Sequence, residues 1–365
     1  MSVTADLPAP ESAPALEVLV HTEGRAGFLT LNRPRAINAL THAMVRRIDG
    51  ALTAWEHDPA VETVVIRGAG ERGLCAGGDI RAIHDDARAG GTATPDFWRD
   101  EYRLNARIAR YPKPYVAFMD GIVMGGGVGV SAHGSLRIVT ERSRIAMPET
   151  GIGFVPDVGG TYLLSRAPGE LGTHLALTGA QAGAADAILA GLADHYVPSA
   201  GLPALADALT REAATEAVAR FARPAPPGEL AERRAWIDAC YAETDGIDTV
   251  EAVVGRLTDS GVPEAKETAT VLLTRSPTAL KATLKALRRA RAEADLEAVL
   301  NTEFRLSCAA LASPDLVEGI RAQVVDKDRD PHWSPATLAE VTEQDTERWF
   351  APRAQGELGL RAPGQ

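Results

Sequence analysis

Up to about residue 200 the chain alternates short apolar runs with amphipathic stretches of helical period. LEVLVHTE (16–23) alternates in polarity and predicts a strand with one buried face. GRAGFLTLNRP (24–34) turns at its first glycine and runs apolar to Pro34, which predicts a second strand. Beyond it, Met44, Val45, Ile48 and Leu52 recur at helical spacing behind Thr41, a suitable N-cap. VETVVIRGAG (61–70) is a buried strand running into glycines. KPYVAFMDGIVMGGGVGVSAHG (113–134) is another, and a helix follows its glycines. LRIVTERSRIAMPE (136–149) supplies further short strands. Residues 159–179 read as helices broken near Pro168 and Gly169, and 184–198 as a helix followed by a short strand. Such alternation favours a parallel, layered α/β core.

The pattern then changes. FARPAPPGEL (221–230) is Pro-rich and reads as a connection, and from Glu229 to about Phe350 nearly everything has helical period. In SPTALKATLKALRRA (276–290), Ser276 is placed to N-cap, Pro277 sits at the first helical position, and Leu280, Leu284 and Leu287 form the buried stripe. The expected organisation is a disordered Pro/Ala-rich tail over 1–14, an α/β core over 15–220 and a helical region over 221–365.

Composition narrows the function classes. An apolar fraction of 45% and a charged fraction of 24% are those of an ordinary globular chain. A net charge of −11 argues against a nucleic-acid partner, since phosphate binding needs clustered cations. No apolar stretch approaches the length of a membrane span. The first residues carry Asp6 and Glu11 and no basic residue, unlike a signal or transit peptide, so a cytoplasmic location is expected. Cys75, Cys240 and Cys308 lie far apart with no CxxC pair, which fits reduced thiols and no metal site.

Glycine clusters and two acids carry the candidate chemistry. Gly68, Gly70 and Gly73 spell GxGxxG, but no long helix opens at Gly73, as a dinucleotide fingerprint requires. Gly127, Gly129 and Ala132 spell GxGxxA after a strand and do open a helix, so a nicotinamide-binding reading stays open there. Alternatively, the clusters 67–79 and 124–134 face one another, and two bare backbone N–H groups converge on one oxygen as an oxyanion hole. AMPETGIGFVPDVGG (146–160) sets Glu149 and Asp157 in apolar surroundings with no neighbouring cation. They read either as caps of a turn and a helix or as a catalytic pair with separated pKa values.

Together LNRPRAINAL, CAGGDI, DGIVMGGGVG and MPETGIGFVPDVGGTYLL resemble the crotonase (enoyl-CoA hydratase/isomerase) superfamily over about residues 16–200. SPTALK and FRLSCAALASPDLVEGIRAQVVDKDRDPHWSPA extend the likeness to the helical end, and there it is nearest to the superfamily's 3-hydroxyacyl-CoA thioester hydrolases. The resemblance implies an α/β fold: a spiral of ββα repeats with a mainly helical C-terminal region. It implies an acyl-CoA substrate and no separate cofactor, coenzyme A being part of the substrate. It maps the oxyanion donors onto the N–H groups of Ala76 and Gly126, and the acids onto Glu149 and Asp157. Glu101 becomes a further substrate-lining acid. Arg35, Ala36, Ile37, Gly77, Asp79, Ile80 and Gly125 become coenzyme A contacts, with Arg35 and Lys327 as candidate phosphate ligands. Lys281, Lys285 and Arg288 share a helix face and read as phosphate contacts or as a solvated face.

Two positions separate the activities within this resemblance. A hydratase has a second glutamate where this chain has Gly129, and usually a glycine where it has Asp157. The expected reaction is therefore hydrolysis of a short-chain 3-hydroxyacyl-CoA, as for 3-hydroxyisobutyryl-CoA in valine breakdown. Glu149 would act as nucleophile or base, and Asp157 would orient the 3-hydroxyl. Enoyl-CoA hydration or isomerisation is the alternative; a non-catalytic acyl-CoA binder and an NAD-dependent oxidoreductase stand further off. The resemblance also implies a possible homo-oligomer.

Overall fold

The computed structural model describes residues 16–362, so the expected tail over 1–14 lies outside the described residues. β1 (Val18–Glu23) and β2 (Ala26–Leu31) form an antiparallel hairpin, and Thr41 caps α1 (His42–Glu56) by accepting from the Met44 N–H at 3.2 Å. β3 (Thr63–Gly68) pairs parallel with β2. Two helices that the apolar pattern did not announce come next, α2 (Ile80–Ala89) and α3 (Ala93–Ala109). The inward stripe of α3 runs through Phe97, Trp98, Glu101, Tyr102, Asn105 and Ile108, and its two polar members interrupt the hydrophobic period.

β4 (Tyr115–Met119) turns sharply into β5 (Ile122–Met124), which leads into the single-turn α4 (Gly126–Gly129). β6 (Leu136–Val139) likewise turns into β7 (Arg144–Ala146). α5 (Gly160–Leu164) and α6 (Leu171–Thr178) are separated at Gly169, and α7 (Ala184–Leu189) precedes β8 (His195–Tyr196).

Strand order in the large sheet is β1-β2-β3-β4-β6-β8, parallel from β2 onward. β5 and β7 form a second parallel pair, extended by bridges from Cys75 to Val123 and from Ile145 to Ala182. Each circuit thus lays one strand in the large sheet and a short one in the second layer before a helix returns the chain. The corners are tight. At Gly73 (φ +156) a β-carbon would lie 2.2 Å from the Ile122 nitrogen, so only glycine fits.

Alternate residues of the central strands serve two cores. Val65, Val116 and Phe118 face the helices Leu202–Leu209 and Ala214–Phe221. Val64, Ile66, Ala117 and Met119 face the main core, which is continuous with the C-terminal helices. Among these, Pro277–Ala292 starts as expected: Ser276 Oγ accepts from the Ala279 N–H at 3.2 Å, and Leu280, Leu284 and Leu287 are buried. Helices Leu296–Leu311 and Pro314–Ile320 follow it onto the face that holds the acids. No helix among the described residues is long and apolar enough to cross a membrane.

Candidate active site

Two loops meet at the second layer. The first, after β3, is fixed by Leu40, whose N–H donates to the Gly77 carbonyl at 2.8 Å and whose carbonyl accepts from Asp79 at 2.9 Å. The second is the β5–α4 turn, where Met124 N–H donates to Cys75 and Gly125 (φ +48) makes the bend. The loops are close enough that a β-carbon on Gly126 would lie 3.3 Å from the Gly78 nitrogen.

Ala76 does not supply the free amide expected of it. Its N–H donates to the Ile37 carbonyl at 2.9 Å. Ile37 and Asn38 adopt positive φ, and buried Asn38 bonds the carbonyls of Ala69 and Gly73, which fixes that carbonyl in place. The amides of these two loops that donate to no protein group include Gly78, two residues on, and Gly126 at the first position of α4. Gly78 and Gly126 are therefore the candidate pair of donors, and a β-carbon on Gly126 would sit beside the Gly78 nitrogen.

Three carboxyls surround this pair. Glu149 begins a single 3-10 turn (Glu149–Ile152) and is 5% exposed; its Oε1 would lie 2.9 Å from a β-carbon on Gly125, and its Oε2 has no partner. Glu101 reaches in from α3, with Oε1 unpartnered and 2.6 Å from a β-carbon on Gly126. Asp157 accepts from the Tyr102 hydroxyl at 2.7 Å. Burial pushes the Asp157 carboxyl up to about 7, against the pull of the Tyr102 hydrogen bond. Burial first, and the Asp157 charge second, hold Glu149 and Glu101 well above the usual carboxylate range.

These groups line one cavity of about 300 Å³. Ala76, Gly77, Ile80, Gly125 and Gly126 line it with the three acids, as does Gly78. Arg35, Ala36, Ile37, Asp79 and Lys327 do not. Arg35 is exposed on a 3-10 turn, Ile37 is spent on Ala76, and Asp79 caps α2 and pairs with Arg33 at 3.0 Å. Lys327 is exposed at φ +61, beyond the lining residue Gln323. Lys281, Lys285 and Arg288 are all tied into ion pairs, with Glu251, with Glu343 and Glu347, and with Glu170 and Asp248.

The sequence reading missed several contributors. Trp98 and Phe154 stack at 5.3 Å in the wall. Arg275, Leu316, Ile320 and Gln323 bring the C-terminal region into the lining. Glu303, on helix Leu296–Leu311, accepts from the Gly159 N–H at 2.6 Å and the Thr161 N–H at 2.9 Å. It takes the helix-capping task that the structural reading gave Asp157, and so leaves Asp157 free to face the cavity. Cys75 is wholly buried, its thiol pushed up to about 12, which keeps it a neutral core residue. His133, pushed down to about 4 by burial, is bonded to the Val158 carbonyl at 2.7 Å.

Residues 26–350 match the family model described as enoyl-CoA hydratase/isomerase. The chain belongs to the enoyl-CoA hydratase/isomerase family. It is 41% identical over 355 residues to the mitochondrial 3-hydroxyisobutyryl-CoA hydrolase of Gallus gallus, covering 95% of this chain and 91% of that one. The Rattus norvegicus protein of the same name is 43% identical over 92% and 88%. Among solved structures, a carnitinyl-CoA dehydratase from Mycobacterium thermoresistibile matches with a TM-score of 0.90 and 56% identity over 94% of this chain and 98% of that one. An enoyl-CoA hydratase from Rhodobacter sphaeroides matches with a TM-score of 0.88 and 45% identity over 94% and 100%.

Those names divide between two chemistries, and Gly129 bears on the division. A β-carbon there would lie 2.7 Å from Val158 Cβ and 2.8 Å from Asn105 Nδ2, so the slot for a hydratase's second acid is already filled. Gly129→Glu is expected to destabilise the fold by about 1–3 kcal/mol through overpacking and to confer no hydration of crotonyl-CoA. Unchanged melting together with new hydratase activity would contradict this packing.

Proposed function

We propose that this protein hydrolyses short-chain 3-hydroxyacyl-CoA thioesters, with 3-hydroxyisobutyryl-CoA as the leading substrate. The observation that carries the reading is the pairing of Glu149 and Asp157 in one cavity with the unengaged amides of Gly78 and Gly126, while the position of a second hydratase acid is closed. The named activity of the 41–43% identical relatives supports it.

The thioester oxygen sits between the two amides. Glu149 takes a proton from water, and the water oxygen bonds to the carbonyl carbon. The negative charge that develops on the thioester oxygen is met by the two N–H groups. Collapse breaks the C–S bond, and the departing sulfur takes up the proton, giving free carboxylic acid and coenzyme A thiol. A raised proton affinity suits Glu149 to both halves of this transfer. Asp157 accepts the substrate's 3-hydroxyl and Glu101 lines the acyl side. The coenzyme A tail leaves the cavity, and Arg35 and Lys327 remain candidate phosphate contacts outside it.

Incubation with 3-hydroxyisobutyryl-CoA in the presence of a thiol reagent tests the reading. One thiol per substrate consumed is expected, with crotonyl-CoA left unhydrated. Rapid hydration of crotonyl-CoA with no thiol release from any 3-hydroxyacyl-CoA would overturn it.

A further inference from the structure

Helix Leu296–Leu311 reaches Asp157 through two hydroxyls. Tyr102 is fully buried on α3, and its oxygen lies 2.7 Å from Asp157 Oδ2 and 2.6 Å from Ser307 Oγ. Ser307 stands one helical turn from Glu303, whose carboxylate holds Gly159 and Thr161. One face of this helix therefore fixes the backbone just after Asp157 and, through Tyr102, its side chain.

A phenol has one hydrogen and two neighbours here, so the direction of the chain depends on Asp157. With Asp157 ionised, Ser307 donates to Tyr102 and Tyr102 donates to Asp157. With Asp157 protonated, the acid donates to Tyr102 and Tyr102 donates to Ser307. Both arrangements keep the Tyr102 hydroxyl paired with Asp157 and with Ser307. The phenol itself stays protonated, because burial and the nearby Asp157 charge hold it far above its ordinary range.

The charged surroundings give this chain its weight. Glu101 faces Asp157 from α3, Glu149 from the 3-10 turn and Glu303 from helix Leu296–Leu311, all with raised pKa values. His133, against the Val158 carbonyl, is held neutral by burial, and Arg275 lines the same cavity. Among the described residues Tyr102 is the side chain that donates to Asp157.

We propose that Tyr102 and Ser307 form a reorientable hydrogen-bond relay that positions Asp157 and lets it gain and lose a proton without losing its partner. The proposal rests on the reading of Asp157 as the acid that meets the substrate's 3-hydroxyl. Tyr102 and Ser307 act through Asp157 and are positioning residues.

The test compares Tyr102→Phe, Ser307→Ala and Ser307→Thr with the parent, using the pH profile of kcat/KM for thiol release and the melting temperature. Asp157→Asn identifies the limb that Asp157 governs. Loss of a hydrogen bond to the charged form should move that limb to higher pH, by about one unit in Tyr102→Phe. A smaller shift in the same direction is expected for Ser307→Ala, and the parental profile for Ser307→Thr. The infrared carboxyl band lost in Asp157→Asn reports the same protonation without turnover, and its titration should also move up in Tyr102→Phe. A Tyr102→Phe band that titrates as in the parent would overturn the relay, whether or not activity falls. Absence of thiol release by the parent would instead overturn the hydrolase reading and leave the infrared test of the relay standing.

Discussion

Glu149→Gln is expected to slow thiol release roughly 10²- to 10⁴-fold, the usual contribution of a positioned base. The substitution keeps the shape of the side chain and removes its ability to take a proton from water. Substrate binding should change little, so the loss belongs in kcat. A second signature separates this from damage to the fold. The carboxyl is buried with one oxygen unpartnered, and burial and the Asp157 charge raise its pKa well above 4.5. A group whose folded pKa is raised contributes stability below its unfolded pKa and loses it as pH climbs toward the folded value. Glu149→Gln should therefore melt at the parental temperature near pH 4, and above the parent at neutral and alkaline pH. A variant that is inactive and less stable at every pH would show that Glu149 serves the fold.

Gly126→Ala is expected to lower kcat by roughly 10²-fold, on the scale of about 3 kcal/mol for losing one oxyanion donor. The backbone there does not require glycine, since Gly126 is not among the residues with positive φ. The added methyl would lie 3.3 Å from the Gly78 nitrogen and 2.6 Å from Glu101 Oε1, in the notch where the thioester oxygen sits. KM should rise less than kcat falls, because the charge develops only in the transition state. Parental kcat with a large rise in KM would mean that the notch holds some other part of the substrate.

The sequence made the frame and its chemistry legible for local reasons. Period-2 and helical runs announced the strands and α1, while Thr41 and Ser276 cap where side-chain oxygens ahead of apolar stripes should. Glu149 and Asp157 stood out because nothing nearby neutralises them. Helix α3 was hidden by two inward polar residues, since Glu101 and Asn105 occupy positions that the period reserves for apolar residues. The slip from Gly78 to Ala76 has a non-local cause: which amide is free depends on the Ile37 carbonyl, placed by a turn far earlier in the chain. Glu303 and Ser307 act across separations of 144 and 205 residues, beyond any local pattern. Lys281, Lys285 and Arg288 formed a clear stripe, but the acids that engage them lie on other segments.

The arrangement of amides and acids is tested most directly by a crystal structure of Glu149→Gln with 3-hydroxyisobutyryl-CoA bound. The thioester oxygen should lie within about 2.7–3.1 Å of both the Gly78 and Gly126 nitrogens, with residue 149 beside the carbonyl carbon and Asp157 at the 3-hydroxyl. A thioester turned away from those two amides, with its carbonyl carbon out of reach of residue 149, would contradict the account.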